Sequence, residues 1–396
     1  MDEGGNMRRA LVFLATTCVL LAMTGAPAAK SKGPNLKVIS RVSYKGGSHL
    51  TFGGGYAYGG ELNGVSSRDQ EGYEDKGGIH VFDITGKPRE AGFFHCPGND
   101  LDIAFVKKGL LAVGYHKAAC TEPGEGLFTL DVSKPSKPKL MGFVTFPAPL
   151  NRNHAIARYP GKPLIYAAGG GLGRGQESVT MVDVSNPRKP KIVESYLAPP
   201  RGCHDFSFQF DKRGKFGICA GLGEVQIWDV SKPLAPEVVS RIHNPLIQFA
   251  HYAVASADGK ILVINDEAIT ANECEKEDVP AGAIWVYDIS DIESPEYLSY
   301  FSPPRGNTGS PIGSFWTPNG LTCTSHDFNY IDNRTVVVPW YTGGFNILSL
   351  KNPSQPKELA HYQPKGTDMW SAHWYRGRIY TNDMGRGFEA LKVKGL

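Results

Sequence analysis

Apolar and polar positions alternate in short runs along this chain. Turns rich in Gly, Pro, Asp and Asn separate the runs, a pattern of many short β-strands rather than helices. One phrase recurs: Gly78-Ile-His-Val-Phe-Asp83, Gly126-Leu-Phe-Thr-Leu-Asp131, Ser178-Val-Thr-Met-Val-Asp183, Glu224-Val-Gln-Ile-Trp-Asp229, Ala283-Ile-Trp-Val-Tyr-Asp288, Gly344-Phe-Asn-Ile-Leu-Ser349 and Gly387-Phe-Glu-Ala-Leu-Lys392. Four copies run on into a turn with two prolines, at Pro135 and Pro138, Pro187 and Pro190, Pro233 and Pro236, and Pro353 and Pro356; the first and fifth keep only Pro88 and Pro295. Proline suits a link between strands because it cannot donate to a ladder.

From one phrase to the next the repeat runs roughly 40 to 60 residues, the period of β-propeller blades. Each period predicts four strands: an inner one such as 205–210, a second such as 216–220, the repeated phrase, and an outer one such as 238–243. The last copy ends at Leu396 without a fourth strand. Residues 36–44 follow Pro34 much as 191–196 follow Pro190, so they are expected to supply it and to hide two sheet edges. The fold predicted is all-β: a seven-bladed β-propeller of four-stranded antiparallel blades, one domain over residues 29–396, with the ring closed by pairing the N-terminal strand with the C-terminal blade. A chain of 396 residues would otherwise admit two or three domains.

The run Val182-Asp-Val-Ser-Asn-Pro-Arg-Lys-Pro190 resembles the unit of the LVIVD-repeat propeller proteins. The stretches 325–344 and 251–267 carry the same likeness. The resemblance implies the propeller fold and an exported chain; it says little about activity, since propellers host many functions.

Arg8 and Arg9, an apolar run, and the small residues Ala26 and Ala28 form a signal-peptide pattern over residues 1–28. The apolar run is shorter than the roughly 20 residues of a spanning helix. The mature chain is therefore expected to be secreted, periplasmic or extracellular, with no transmembrane segment. Against 42 Lys+Arg stand 39 Asp+Glu, for a net charge of +3, and no basic run is interleaved with aromatics. That pattern speaks against nucleic acid as a partner.

Histidine carries the chemistry. His49, His154, His204, His251, His326 and His373 begin the inner strands of six blades, and blade 2 breaks the series with Asp100-Leu-Asp102. With 11 His in the chain, chance would place about 0.2 of one in seven chosen positions. Neutral imidazole is a ligand for copper, iron and zinc. Converging rings are thus expected to hold a transition metal, copper or iron favoured and zinc or manganese the other candidates. Glu61, Asp266, Glu267 and Asp383, at the ends of second strands, with His116, are expected as further ligands or as acceptors that orient the rings. The competing reading is an inherited histidine that bonds to the neighbouring blade's backbone. Long connections at 62–77, 117–125, 268–282 and 302–322 fall on the histidine face, where a small-molecule ligand is expected.

Six cysteines follow Cys18. The blade scheme pairs Cys96 with Cys120, Cys203 with Cys219 and Cys274 with Cys323, leaving a Cys203 thiolate ligand as the rival. Trp316, Trp340, Tyr341, Trp370 and Trp374 read as packing between blades, or else as a stacking surface. Two functions remain in view: a metal-dependent enzyme of oxidoreductase type, and a non-catalytic extracellular binding or surface-assembly module with structural histidines. The first draws on architectural likeness to carotenoid oxygenases and methanethiol oxidases, with no specific motif of either; a Ser-His-Asp hydrolase is disfavoured because no Gly-x-Ser-x-Gly elbow occurs.

Overall fold

The computed structural model describes residues 34–62, 77–99, 101–147, 153–169, 178–197, 202–221, 223–267, 282–303 and 324–396. The leader, most of three long connections, Asp100, Trp316, Cys274 and Cys323 lie outside the described residues. Among the described residues there is no helix, and so none long and apolar enough to cross a membrane.

The strands form five four-stranded antiparallel sheets, one eight-stranded sheet, and a two-stranded pair of Gly98–Asn99 with Lys117–Ala118. Each four-stranded sheet is a meander. In the fourth unit Asp205–Asp211, Gly214–Gly221, Glu224–Asp229 and Glu237–Ile242 lie side by side in chain order. The eight-stranded sheet is two such units joined where Asp327–Asp332 runs parallel to Met369–Tyr375. Its far edge is Asn35–Val42, which pairs antiparallel with Gly387–Lys394, Leu36 opposite Val393 and Val38 opposite Leu391. The last unit thus takes its fourth strand from the N-terminal segment. The architecture is β-propeller-like.

The repeated phrase is apolar throughout because it is the third strand, covered on both faces. Val225 and Ile227 join a core with Ala253, Leu262 and Trp285 of the next unit, whereas Trp228 and Val230 join a core with Tyr166 and Phe206 on the other side. Strands buried on both faces lose the polar alternation that the half-exposed outer strands keep. The terminal Asp has a turn-forming role: Asp131, Asp183, Asp229 and Asp288 each accept the backbone N–H two residues on, from Ser133, Ser185, Ser231 and Ser290. Hydrogen bonds from the Ser133 and Ser231 side chains, with these backbone bonds, hold Asp131 and Asp229 below the usual carboxylate range.

Two of the three expected disulfides lie within the described residues and form: Cys96–Cys120 and Cys203–Cys219, with Cα–Cα distances of 5.3 and 5.1 Å. The second ties the start of a first strand to its neighbour and takes Cys203 out of any ligand set.

Candidate metal centre

The strand registers define two successive rungs at the start of the first strands. Asp102, Ala155, Asp205, Tyr252 and Ser371 pair with Gly114, Ala168, Ala220, Asn265 and Asn382 of the second strands, and these pair with equivalent positions of the repeated phrase. Asp327 joins this rung through its parallel pairing with Ser371. The residues one step earlier are His154, His204, His251, His326 and Trp370. Bulges shape this end of the strands, since the register shifts between Ala250 and Tyr252, between Met369 and Ser371, and between Gly47 and Leu50. His251 and Trp370 are the extra residues at two of them. A bulge re-aims a side chain, and bulges recur beside active sites.

The earlier rung is a row of imidazoles. Ring centroids are 3.7 Å apart for His154 and His204, 4.4 Å for His204 and His251, and 4.2 Å for His251 and His326; His116 stands 5.5 Å from His154. Two triads result, His154/His204/His251 and His251/Glu267/His326, each with one ligand atom per residue and all of these within 4.8 Å of one another. Glu267 sits between two rings, with Oε2 3.6 Å from His251 Nε2 and Oε1 3.7 Å from His326 Nε2. The Tyr341 hydroxyl donates to Oε1 at 2.6 Å. Tyr341 takes a left-handed backbone, φ 45°, which a bulky residue rarely adopts, so the fold holds that phenol in place at a conformational cost.

The protons decide what this arrangement can hold. His326 Nδ1 donates to the Trp370 carbonyl at 3.0 Å, since a carbonyl can only accept. In the neutral ring Nε2 then carries a lone pair, and that lone pair faces a carboxylate oxygen. Burial keeps His326 and His251 neutral: it pushes His326 down to about 3, and together with the charges of His326, His204 and His154 it holds His251 well below the ordinary histidine range. Two acceptors at 3.7 Å, too far for a direct hydrogen bond, are the arrangement a bound cation resolves. The set of imidazoles and one carboxylate fits a transition metal, and the Trp370 carbonyl behind His326 is the orienting acceptor such ligands usually have.

The other expected residues go elsewhere. His49 lies on the later rung, its Nδ1 3.3 Å from Asp102 and 3.9 Å from Asp327; the Trp370 ring, 5.5 Å from His49 and 4.5 Å from His326, stands between it and the row. His373 falls level with Asn329 rather than His326, and its Nε2 is 3.1 Å from Asp327. Glu61 lies 3.2 Å from His80. Asp266 accepts the Phe249 and Gly282 backbone N–H groups, and Asp383 accepts from Thr367, Asp368, Gly385 and Arg386. Both carboxylates organise loops, and burial raises both to about 6. Of the four expected carboxylates, Glu267 alone joins the imidazoles.

Sequence reasoning missed the acidic rung. Burial, reinforced by the charges of Asp102 and Asp327, raises Asp205 well above the usual range, while His373 and His49 overcome burial to hold Asp327 down at about 2. The Asp that follows His204 and His326 was the available signal. Trp340, Tyr341 and Trp370 are buried, as packing predicts, but Tyr341 and Trp370 also wall the row, with Leu62 and Met384 beside them.

Residues 123–145 and 174–198 match the family model described as the LVIVD repeat. No curated protein matches the chain. The two matched segments bracket consecutive copies of the repeated phrase, each with its two-proline turn, so the chain carries LVIVD repeats at these two positions.

Proposed function

We propose that this protein is an exported, seven-bladed β-propeller that binds a transition metal at its histidine row and uses it for small-molecule chemistry of the oxidoreductase type. The observation that carries the metal reading is the opposition of His326 Nε2 and His251 Nε2 to the Glu267 carboxylate, with the His326 tautomer fixed by Trp370. Closure of the ring is supported by Gly47–Gly53 of the first unit lying against both Asp102–Lys107 of the second and Met369–Tyr375 of the last. Export is supported by the leader pattern and by two disulfides. Copper or iron suits a redox role for an imidazole-rich set. The apolar wall of Leu62, Tyr341, Trp370 and Met384 offers a small substrate a face beside the ligands.

The test is the double variant His204→Ala/His326→Ala. It is expected to lose metal retention while keeping the strand-held fold. If the imidazoles are structural instead, the variant loses about 1 to 3 kcal/mol per stranded buried partner with no change in metal content.

A further inference from the structure

The donors of the row do not gather into one group around a single ion. Ligands at about 2.0 to 2.1 Å from a common ion lie at most about 4.2 Å apart. The five donors instead divide into His154/His204/His251 and His251/Glu267/His326. One ring belongs to both. On one side of it, His251 Nε2 faces Glu267 at 3.6 Å; its other nitrogen, Nδ1, is buried with no hydrogen-bond partner among the described residues. Two nitrogens of one imidazole diverge, so they serve two directions. The bulge at His251 gives that ring a placement that regular pairing would not.

We propose that the site is dinuclear, with His251 as the shared ligand: one ion held by His154, His204 and His251 Nδ1, the other by His251 Nε2, Glu267 and His326 Nε2. This rests on the metal reading above and adds its nuclearity. A neutral imidazole has one lone pair and one N–H, so filling both nitrogens replaces that proton with the second ion and releases it to solvent, leaving a bridging imidazolate.

The probe is copper(II), added to the metal-stripped full chain, with bound copper counted after desalting and electron paramagnetic resonance recorded on the same samples. The wild type is expected to retain two equivalents, with spin coupling that removes much of the isolated-ion signal. Glu267→Gln/His326→Gln and His154→Gln/His204→Gln are each expected to retain one, with an uncoupled spectrum of full intensity. Circular dichroism shows which variants fold; the wild-type count and spectrum decide the matter even if none does. One equivalent with an uncoupled signal, or two equivalents without coupling, overturns the shared-ligand centre and leaves the metal reading standing. No retained metal overturns both.

Discussion

The Cys203–Cys219 bridge ties the strand start that carries His204 to the second strand, and its removal should be felt in both stability and metal retention. The perturbation is Cys203→Ala/Cys219→Ala. The bridge closes a loop of sequence separation 16. Chain-entropy loss for a loop of that size corresponds to about 3 kcal/mol at 25 °C. With a urea slope of about 3 kcal/mol per molar, the unfolding midpoint should fall by about 1 M. The comparison variant is Cys96→Ala/Cys120→Ala, with separation 24 and a similar expected cost. Only the first pair adjoins a proposed ligand, so only the first variant should also release metal more readily, measured by competition with a chelator under native conditions. An unchanged midpoint would refute the stabilising role. Equal effects of the two variants on metal retention would refute the link to His204.

Two further outcomes follow from side chains outside the row. His80 is buried between Glu90, 2.6 Å from Nδ1, and Glu61, 3.2 Å from Nε2; burial opposes its charge but the carboxylates outweigh burial and raise it above the ordinary histidine value. Its contribution is therefore complete below the unfolded value of about 6.5 and is lost as pH rises through the higher folded value, so the urea-midpoint gap between wild type and His80→Gln should shrink from about pH 5.5 to about pH 9; a constant gap contradicts the charge argument. Asn265, fully buried, accepts the Tyr252 N–H at 2.6 Å and donates to the Ser325 carbonyl of the next unit at 2.9 Å. Asn265→Leu keeps the volume but strands both groups, and should cost about 2 to 5 kcal/mol in urea unfolding; a loss under about 0.5 kcal/mol would show that the clamp between units is dispensable.

The repeat was legible in the sequence because covered strands and Asx turns leave local marks: the apolar phrase, its terminal Asp, the two prolines. The N-terminal strand was legible because the last copy lacked a partner. The imidazole row was legible in His154, His204, His251 and His326, whose strand starts share one phase. His49 and His373 were displaced for a physical reason. A bulge adds a residue to one strand without any required residue type, so counting from the strand start fails where Gly47–Leu50 and Met369–Ser371 shift register. At His373 the bulge is only part of the shift: the strand starts at Met369, so Trp370, three residues earlier, holds the place that counting gives to His373. The carboxylates Glu61, Asp266 and Asp383 end second strands, the place from which Glu267 also comes, but backbone N–H groups and His80 claim them. That competition depends on tertiary neighbours alone.

The central claim is that the imidazole row and Glu267 hold a transition metal, and the most direct measurement is elemental analysis of the full chain. The protein is prepared without chelator, incubated in turn with copper, iron, zinc and manganese salts, and desalted. Retention of at least one equivalent of one of these metals, lost on Glu267→Gln/His326→Gln together with either of His154→Gln or His204→Gln, is the predicted result. A wild-type chain that emerges metal-free from all four incubations would contradict the account.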